Sequence, residues 1–393
     1  MTKTPQLIQD PRQLDQIAQK LKGSKAVAVD TEFIRETTFF PKIALLQLAT
    51  LDEAWLLDPL ALDKAMLAPI LEIFADTKIL KIMHAAYADQ ECLFWAYGMT
   101  ATPVLDTAVA GALTGYGDNV GLGKLLKEVL RVNLPKGRAR VKWLARPLPD
   151  DLRIYAEQDV AHLVEVGSIL EKKLRSKNRW EWALEESLVE EKVFDVAPED
   201  TARRIAKGGH FDPNAFPVLV ELIRWREERA RAANLPRGWV ADNEILVALA
   251  KVQPASLDEL RTFRGLNAKE VDRSGMRILE AIKKGRPAPK PDPAEFARAP
   301  MVEREDHLQE FIKTYVSFLA DKHEIALRLL INAGKAQALA QNPIVDKERW
   351  VKEGLLSQRA CELIGEDLSA LLSGKRGLVL RNGRVEIMEF PGS

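Results

Sequence analysis

Cysteine is nearly absent: Cys92 and Cys361 are the only two in 393 residues. They lie far apart and read as free thiols of a reducing, cytoplasmic compartment, not as a disulfide framework. No CxxC or Cys/His cluster suggests zinc. Long hydrophobic runs are missing as well; none approaches the roughly 18 apolar residues of a membrane span. The first residues, MTKTPQLIQDPRQLDQ, lack the apolar core of a signal peptide. Net charge is also absent, with 57 Lys+Arg against 57 Asp+Glu. These absences argue against a disulfide-stapled scaffold, a zinc module and a helical membrane protein.

What is present fits a globular chain: 47% apolar and 29% charged residues. The length allows two or three domains. The zero net charge hides an asymmetry. Residues 201–290 carry 18 Lys+Arg against 11 Asp+Glu, whereas residues 1–200 carry 25 against 30. An acidic module followed by a basic one points to a polyanionic partner for the middle of the chain. An uneven solvated surface is the plainer reading of the same charges.

Along the chain, a first helix ends near Gly23. Three strand-like runs follow with short links, Ala26–Asp30, Ile43–Ala49 and Ala54–Leu57, which predicts an antiparallel meander. A helix near Met66–Phe74, a strand over Lys78–Met83, a helix over Ala88–Trp95 and a short strand over Thr102–Asp106 come next. Gly121–Leu130 and Asp150–Arg175 read as helices. Strands first, then alternating units, predict a mixed five- or six-stranded sheet with flanking helices. Val196–Gly209 reads as a linker. Residues 214–284 are helical in pattern, with short Pro/Gly turns. Arg286–Pro300 holds five prolines in fifteen residues and reads as a second linker. The last segment begins with helical periodicity and ends in a hairpin marked by Asn382-Gly383.

The chemistry is concentrated in Asp30-Thr31-Glu32. Residues two apart on a strand share a face, so two carboxylates stand together at the end of a buried run. That placement is costly unless a cation lies between them, and a hard divalent ion suits oxygen ligands. Asp89 and Asp159 are candidate partners. Tyr155, four residues before Asp159, shares its helix face. If the four acids converge, the site suits two Mg²⁺ or Mn²⁺ ions roughly 4 Å apart, which clamp an in-line displacement at phosphorus. Tyr155, with an ordinary pKa of about 10, would orient the attacking water by hydrogen bonding. Taken singly, each residue has a plainer reading. Asp-x-Glu fits a solvated turn, Asp89 a surface helix, and Tyr155 a core-edge aromatic.

The order and contexts of these residues resemble ribonuclease D. AVAVDTEFIRETTFFPKIALLQLAT is similar to the family's first motif, IMHAAYADQECL to its second, and WLARPLPDDLRIYAEQDVAHL to its third. The resemblance implies a ribonuclease-H-like fold and a DEDD-type 3′→5′ exoribonuclease that releases nucleoside 5′-monophosphates. It implies Asp30, Glu32, Asp89 and Asp159 as metal ligands and Tyr155 as the mark of the tyrosine subclass. Leu222–Arg231, Leu235-Pro236-Arg237 and Glu259–Leu266 resemble an HRDC domain, a helical nucleic-acid-binding bundle; the C-terminal segment looks like a second one. The implied domains are 1–195 (exonuclease), 210–288 (HRDC) and 301–393 (second HRDC-like). The implied substrate is RNA with a single-stranded 3′ end, such as tRNA precursors; no obligate protein partner is inferred. The sequence departs from the family before Trp143, where Ser/Thr-Asp is usual and Val141-Lys142 stands here. That departure bears on substrate positioning, not on the metal ligands.

Five residues are candidate substrate contacts. Phe33 reads as a stacking platform or as core. Gln47 reads as a nucleotide contact or as a buried hydrogen-bonding residue, and His84 as a phosphate contact or a packed residue. Lys136 and Arg140 read as phosphate contacts, as do Arg35 and Lys42; His162 reads as structural. Two other functions share these motifs: a proofreading-type DNA exonuclease, and an RNA-binding scaffold with a silent nuclease fold.

Overall fold

The computed structural model describes residues 4–134, 141–206, 211–292, 296 and 305–390. Six strands form one mixed sheet: β1 (Leu7–Ile8), β2 (Ala26–Ile34), β3 (Lys42–Ala49), β4 (Ala54–Leu57), β5 (Leu80–Met83) and β6 (Val104–Asp106). Their order is β1-β4-β3-β2-β5-β6. The predicted antiparallel meander is present as β2-β3-β4, and β5 and β6 extend it in parallel with β2. The sequence reading missed β1, whose two residues are too few to show a period; it pairs in parallel with β4.

Alternation along β2 sorts its side chains between two layers. Val27 and Val29 pack with α1 (Leu14–Lys22), α2 (Ala68–Ala75) and α3 (Tyr87–Tyr97). Ala28 faces the opposite layer, built from α4 (Thr107–Ala112), α5 (Leu122–Leu130), α6 (Asp150–Ala161), α7 (Leu163–Ser176) and α8 (Trp180–Ser187). Asp30 and Glu32 share the parity of Ala28 and so open toward α6. A Cβ on Gly167 would stand 2.6 Å from Ile82 Cδ1, so a residue without one lets α7 lie close on β5. The expected single helix over Asp150–Arg175 is two helices that meet at His162, which closes α6 with φ −108° and ψ −2°. No proline or glycine marks that break.

One arginine fastens the loop between α5 and α6 to the sheet. The β2–β3 register shifts between Glu32 and Phe33, which leaves Ala44 outside the ladder. Arg146 Nη2 donates to the Ala44 carbonyl at 2.6 Å. The same guanidinium donates to both oxygens of Asp58, at 2.8 and 2.6 Å, and to the carbonyls of Trp143 and Ala145. Asp58, just after β4, is 1% exposed and also accepts from Gln9 Nε2 at 2.7 Å. Trp143 and Leu148 of this loop then pack with Leu45, Leu56 and Leu152.

Of the expected linker Val196–Gly209, the last three residues lie outside the described ones, and the rest is not a linker. Pro198–Ala206 forms α9, whose Ala202 and Ala206 are buried against the next helical unit; small apolar residues four apart carry this face. That unit comprises α10 (Phe216–Ala233), α11 (Arg237–Val240), α12 (Asn243–Val252), α13 (Leu257–Thr262) and α14 (Ala268–Gly285). The C-terminal unit comprises α15 (Glu305–His323), α16 (Ala333–Gln341), α17 (Lys347–Lys352), α18 (Gln358–Leu372) and the hairpin β7 (Arg376–Arg381)–β8 (Arg384–Glu389). Asn382 and Gly383 both take positive φ, 52° and 75°, as the Asn-Gly signal predicted.

The C-terminal unit continues the core of the sheet domain. Ala326 N donates to the Ala112 carbonyl at 2.7 Å, and Arg179 joins the carbonyls of Leu113, His323 and Glu324. Among the described residues no helix is long and apolar enough to cross a membrane.

Burial pushes the Asp58 carboxyl up, but hydrogen bonds from Arg146 and Gln9 outweigh it and hold the group below its ordinary pKa. Its contribution is therefore present above pH ~4 and fades as pH falls through the folded value. Asp58→Ala should lower unfolding free energy by about 3 kcal/mol at pH 7 in urea titrations. The gap to wild type should narrow below pH ~4. A gap below about 1 kcal/mol at pH 7 would mean the pair anchors little.

Candidate active site

Asp30 and Glu32 stand near the C-terminal end of β2, and α6 brings Asp159 to them. The closest carboxylate oxygens of these three all lie within 4.8 Å of one another. Asp89 arrives from α3, in the opposite layer. Its Oδ1 accepts from Thr31 N at 3.1 Å and from the Thr31 hydroxyl. Alternation explains that pairing, because Thr31 points to the layer its neighbours Asp30 and Glu32 avoid. Three of the four expected acids are thus directly grouped. The fourth is held one residue away by Thr31, to which the sequence reading had given no role.

The cluster is short of positive charge. No ion pair joins Asp30, Glu32 or Asp159 to a Lys or Arg among the described residues. Burial, then the neighbouring Asp89, Asp159 and Glu32, push the Asp30 carboxyl well above its ordinary range. Burial, then Asp159 and Asp89, push Glu32 up to about 8. Burial pushes Asp159 to about 6 against a hydrogen bond from Tyr155, and Asp89 to about 6 against its bonds from Thr31. Repelling carboxylates with oxygen as the sole donor type fit a hard divalent cation.

Tyr155 sits one helical turn before Asp159 and hydrogen-bonds to it; burial, then Asp159 and Glu32, raise its pKa to about 12. It therefore keeps its proton at any ordinary pH, which suits orienting rather than abstracting. Its ring lies 6.2 Å from that of Trp143, which the Arg146 anchor places. A cleft of about 1440 Å³ opens over this edge. Glu32, Phe33, Arg35, Lys142, Trp143 and Tyr155 line it, joined by Pro236 and Arg237 from the helical unit.

The substrate-contact candidates divide. Phe33 lines the cleft and is half-buried. Gln47 is fully buried opposite Asp30, its Nε2 3.5 Å from Asp30 Oδ2. His84 Nδ1 lies 2.8 Å from the Thr107 hydroxyl, and burial holds its pKa low against nearby Asp106. Neither Gln47 nor His84 lines the cleft. Arg35 does, but it is paired with Glu91 at 2.5 Å; Lys42 is exposed at the start of β3. Lys136 and Arg140 lie outside the described residues. His162 closes α6 beside Glu165, at 3.9 Å. Arg146 and Thr31 are supports inside the motifs, and Asp58 is one outside them; single-residue reading exposes none of the three.

Comparison with known proteins bears on the same residues. The sequence model of a 3′-5′ exonuclease domain matches residues 5–175, and that of the HRDC domain matches residues 215–282. Ribonuclease D of Bartonella henselae is 30% identical over 375 residues, covering 94% of this chain and 90% of that protein. The chain belongs to the ribonuclease D family. Ribonuclease D of Pseudomonas paraeruginosa is 32% identical over 353 residues, 89% of each chain. The crystal structure of Escherichia coli RNase D, described as an exoribonuclease involved in structured RNA processing, superimposes with a TM-score of 0.77. That match has 27% identity and covers 95% of this chain and 99% of that one. The activity is that of a 3′→5′ exoribonuclease, a hydrolase acting on RNA, and the fold implies divalent metal ions.

The raised Glu32 pKa carries a sign that a chelated sample reveals. Between pH ~4.3, the ordinary Glu value, and 8 the folded chain binds more protons than the unfolded one, so stability falls as pH rises. In chelator, Tm should fall from pH 5 to pH 8, less steeply in Glu32→Gln, and Mg²⁺ should restore it at pH 8. Parallel Tm-against-pH curves for the two proteins in chelator would show that neither burial nor the neighbouring acids hold Glu32 protonated.

Proposed function

We propose that Asp30, Glu32, Asp89 and Asp159 hold two divalent ions, Mg²⁺ or Mn²⁺, and that this site trims single-stranded 3′ ends of RNA, releasing nucleoside 5′-monophosphates. The observation that carries this reading is the group of three carboxylates within 4.8 Å, paired with no Lys or Arg among the described residues, with Tyr155 bonded to one of them. When bound, such ions supply an activated water and charge stabilisation at the leaving 3′ oxygen. Tyr155 keeps its proton and donates its O–H hydrogen bond to Asp159, so its phenol oxygen is left to accept from the attacking water and orient it. Thr31 holds Asp89 at its post, and Gln47 does the same for Asp30. Phe33 offers a half-buried ring to the terminal base.

Residues 1–195 form the exonuclease domain in this reading, 210–288 an HRDC domain, and 301–393 a second HRDC-like domain. Lys269, Arg273 and Arg277 repeat every four residues along the exposed face of α14, which supports phosphate contact by the middle unit. Precursors of tRNA, structured RNAs with a trailing 3′ end, are the substrate that this division suits.

Asp30→Ala should abolish Mg²⁺-dependent shortening of 3′-tailed RNA, a loss of at least about 10³-fold in kcat. Degradation by Asp30→Ala at the wild-type rate would remove the site assignment. Lys142 is exposed, lines the cleft and has no ion-pair partner among the described residues. Lys142→Ala should therefore raise KM for RNA several-fold at low salt, with kcat little changed and a salt slope lower by about one. An unchanged KM at low salt would show that Lys142 meets no phosphate.

A further inference from the structure

The helical unit does more than lie beside the catalytic one; it holds one wall of the cleft. The segment after Glu32 leaves β2 past the register shift and returns at Lys42. Its residues Ile34, Arg35, Glu36, Thr38 and Phe39 line the cleft with Glu32. Phe39 is 2% exposed, and its ring is buried in the hydrophobic core of the helical unit, with Leu222 and Ile223 of α10. Arg237 lies over that ring at 4.5 Å, and Arg231 stands 5.4 Å from it and 5.3 Å from Trp95 of α3. On the other side, Arg35 pairs with Glu91 of α3, the helix that carries Asp89.

The backbone of this wall has its own anchor. Asn234 closes α10 in the left-handed conformation, φ 49° and ψ 48°. Its single Oδ1 accepts from Phe39 N at 3.1 Å and from Phe40 N at 3.0 Å. Two consecutive amides that no strand partner satisfies are thus paired by one carbonyl from another unit. Asn234 does not line the cleft itself; its side chain meets the cleft through the wall, while Pro236 and Arg237 just after it line the cleft directly.

We propose that Asn234 is a positioning residue for the exonuclease reaction: by fixing the amides of Phe39 and Phe40 it sets the wall against which the 3′-terminal nucleotide is registered to the acids. The helical unit then contributes to turnover on substrates too short to reach its basic helices. This inference rests on the site assignment above. Misplacement of a reacting group by about 1 Å costs up to about 10²-fold in rate. The loss of two hydrogen bonds at one wall should cost less than that.

The choice of variants follows from the backbone. Asn234→Gly meets the positive φ without strain and removes only the acceptor. Asn234→Asp keeps an acceptor oxygen and tolerates the same conformation. On a trinucleotide RNA, Asn234→Gly should lower kcat by about 10-fold. Its affinity for a long single-stranded RNA should stay within about twofold of wild type. Asn234→Asp should restore most of the lost kcat. Amide hydrogen exchange at Phe39 and Phe40 should quicken in the Gly variant and not in the Asp variant. Wild-type kcat in Asn234→Gly would overturn the proposal. So would an Asp variant as slow as the Gly variant, or a Gly variant whose long-RNA affinity falls as far as its kcat. Asp30→Asn assayed in parallel separates the two levels: if it remains active, the site assignment fails, whatever Asn234 does.

Discussion

The fold is arranged around one electrostatic constraint, the gathering of like charges near the end of β2. Strand alternation puts Asp30 and Glu32 on one face and Thr31 on the other. Asp159 comes to the first face on α6, and Asp89 is tied to Thr31 on the second. No basic side chain among the described residues answers these charges, and burial, then the neighbouring carboxylates, pushes the carboxyls of Asp30 and Glu32 up. A cluster of this kind opposes folding on its own account, so it is held by supports that do not touch it. The Arg146–Asp58 pair and the aromatic packing of Trp143 fix the loop before α6. The close seat of α7 on β5 fixes the helix after it.

The supports are graded by how they are satisfied. Arg146 reaches five acceptor oxygens, including the Ala44 carbonyl that the register shift leaves over. A guanidinium suits that task because its planar donors are fixed in a fork, where a lysine ammonium would act as a point charge. Asn234 solves a smaller version of the same problem with one carbonyl and two amides. In both places an irregular stretch of backbone beside the cleft is satisfied by a side chain from elsewhere in the chain. The irregular backbone leaves room for a substrate, and the distant side chain keeps it from moving.

The sequence was legible where the signal is local. Apolar runs, the Asn382-Gly383 turn and the meander links follow from rules of short range, and the structure has those elements. The grouping of Asp30 with Glu32 follows from the period of a strand alone. Asp159 and Asp89 needed the resemblance, because nothing in their spacing from β2 fixes which layer each approaches. The failures are equally physical. Two residues of β1 are too few to show a period. The break at His162 has no proline or glycine to announce it. The stretch around Pro198 is rich in charge, which masks the Ala202/Ala206 face that buries it. Tertiary anchors such as Arg146–Asp58 and Asn234–Phe39 join residues 88 and 195 positions apart, where no local pattern reaches.

The departure from the family before Trp143 takes a different meaning once the cleft is drawn. In the sequence it is the loss of an acid and a hydroxyl beside the proposed metal site. In the cleft it is the gain of a cation. The other two cationic side chains on that lining are engaged: Arg35 with Glu91 and Arg237 with Glu227. Their charge is largely neutralised for a passing phosphate. Lys142 is exposed and has no such partner among the described residues. A strand of RNA drawn toward a group of carboxylates meets repulsion that ions bound as proposed would offset only near the scissile phosphate. The phosphates farther back need a positive charge of their own, at a distance shorter than the Debye length of about 8 Å if salt is not to screen it. An acid beside Trp143 would add to that repulsion; the lysine on the same loop, held in place by Arg146, subtracts from it.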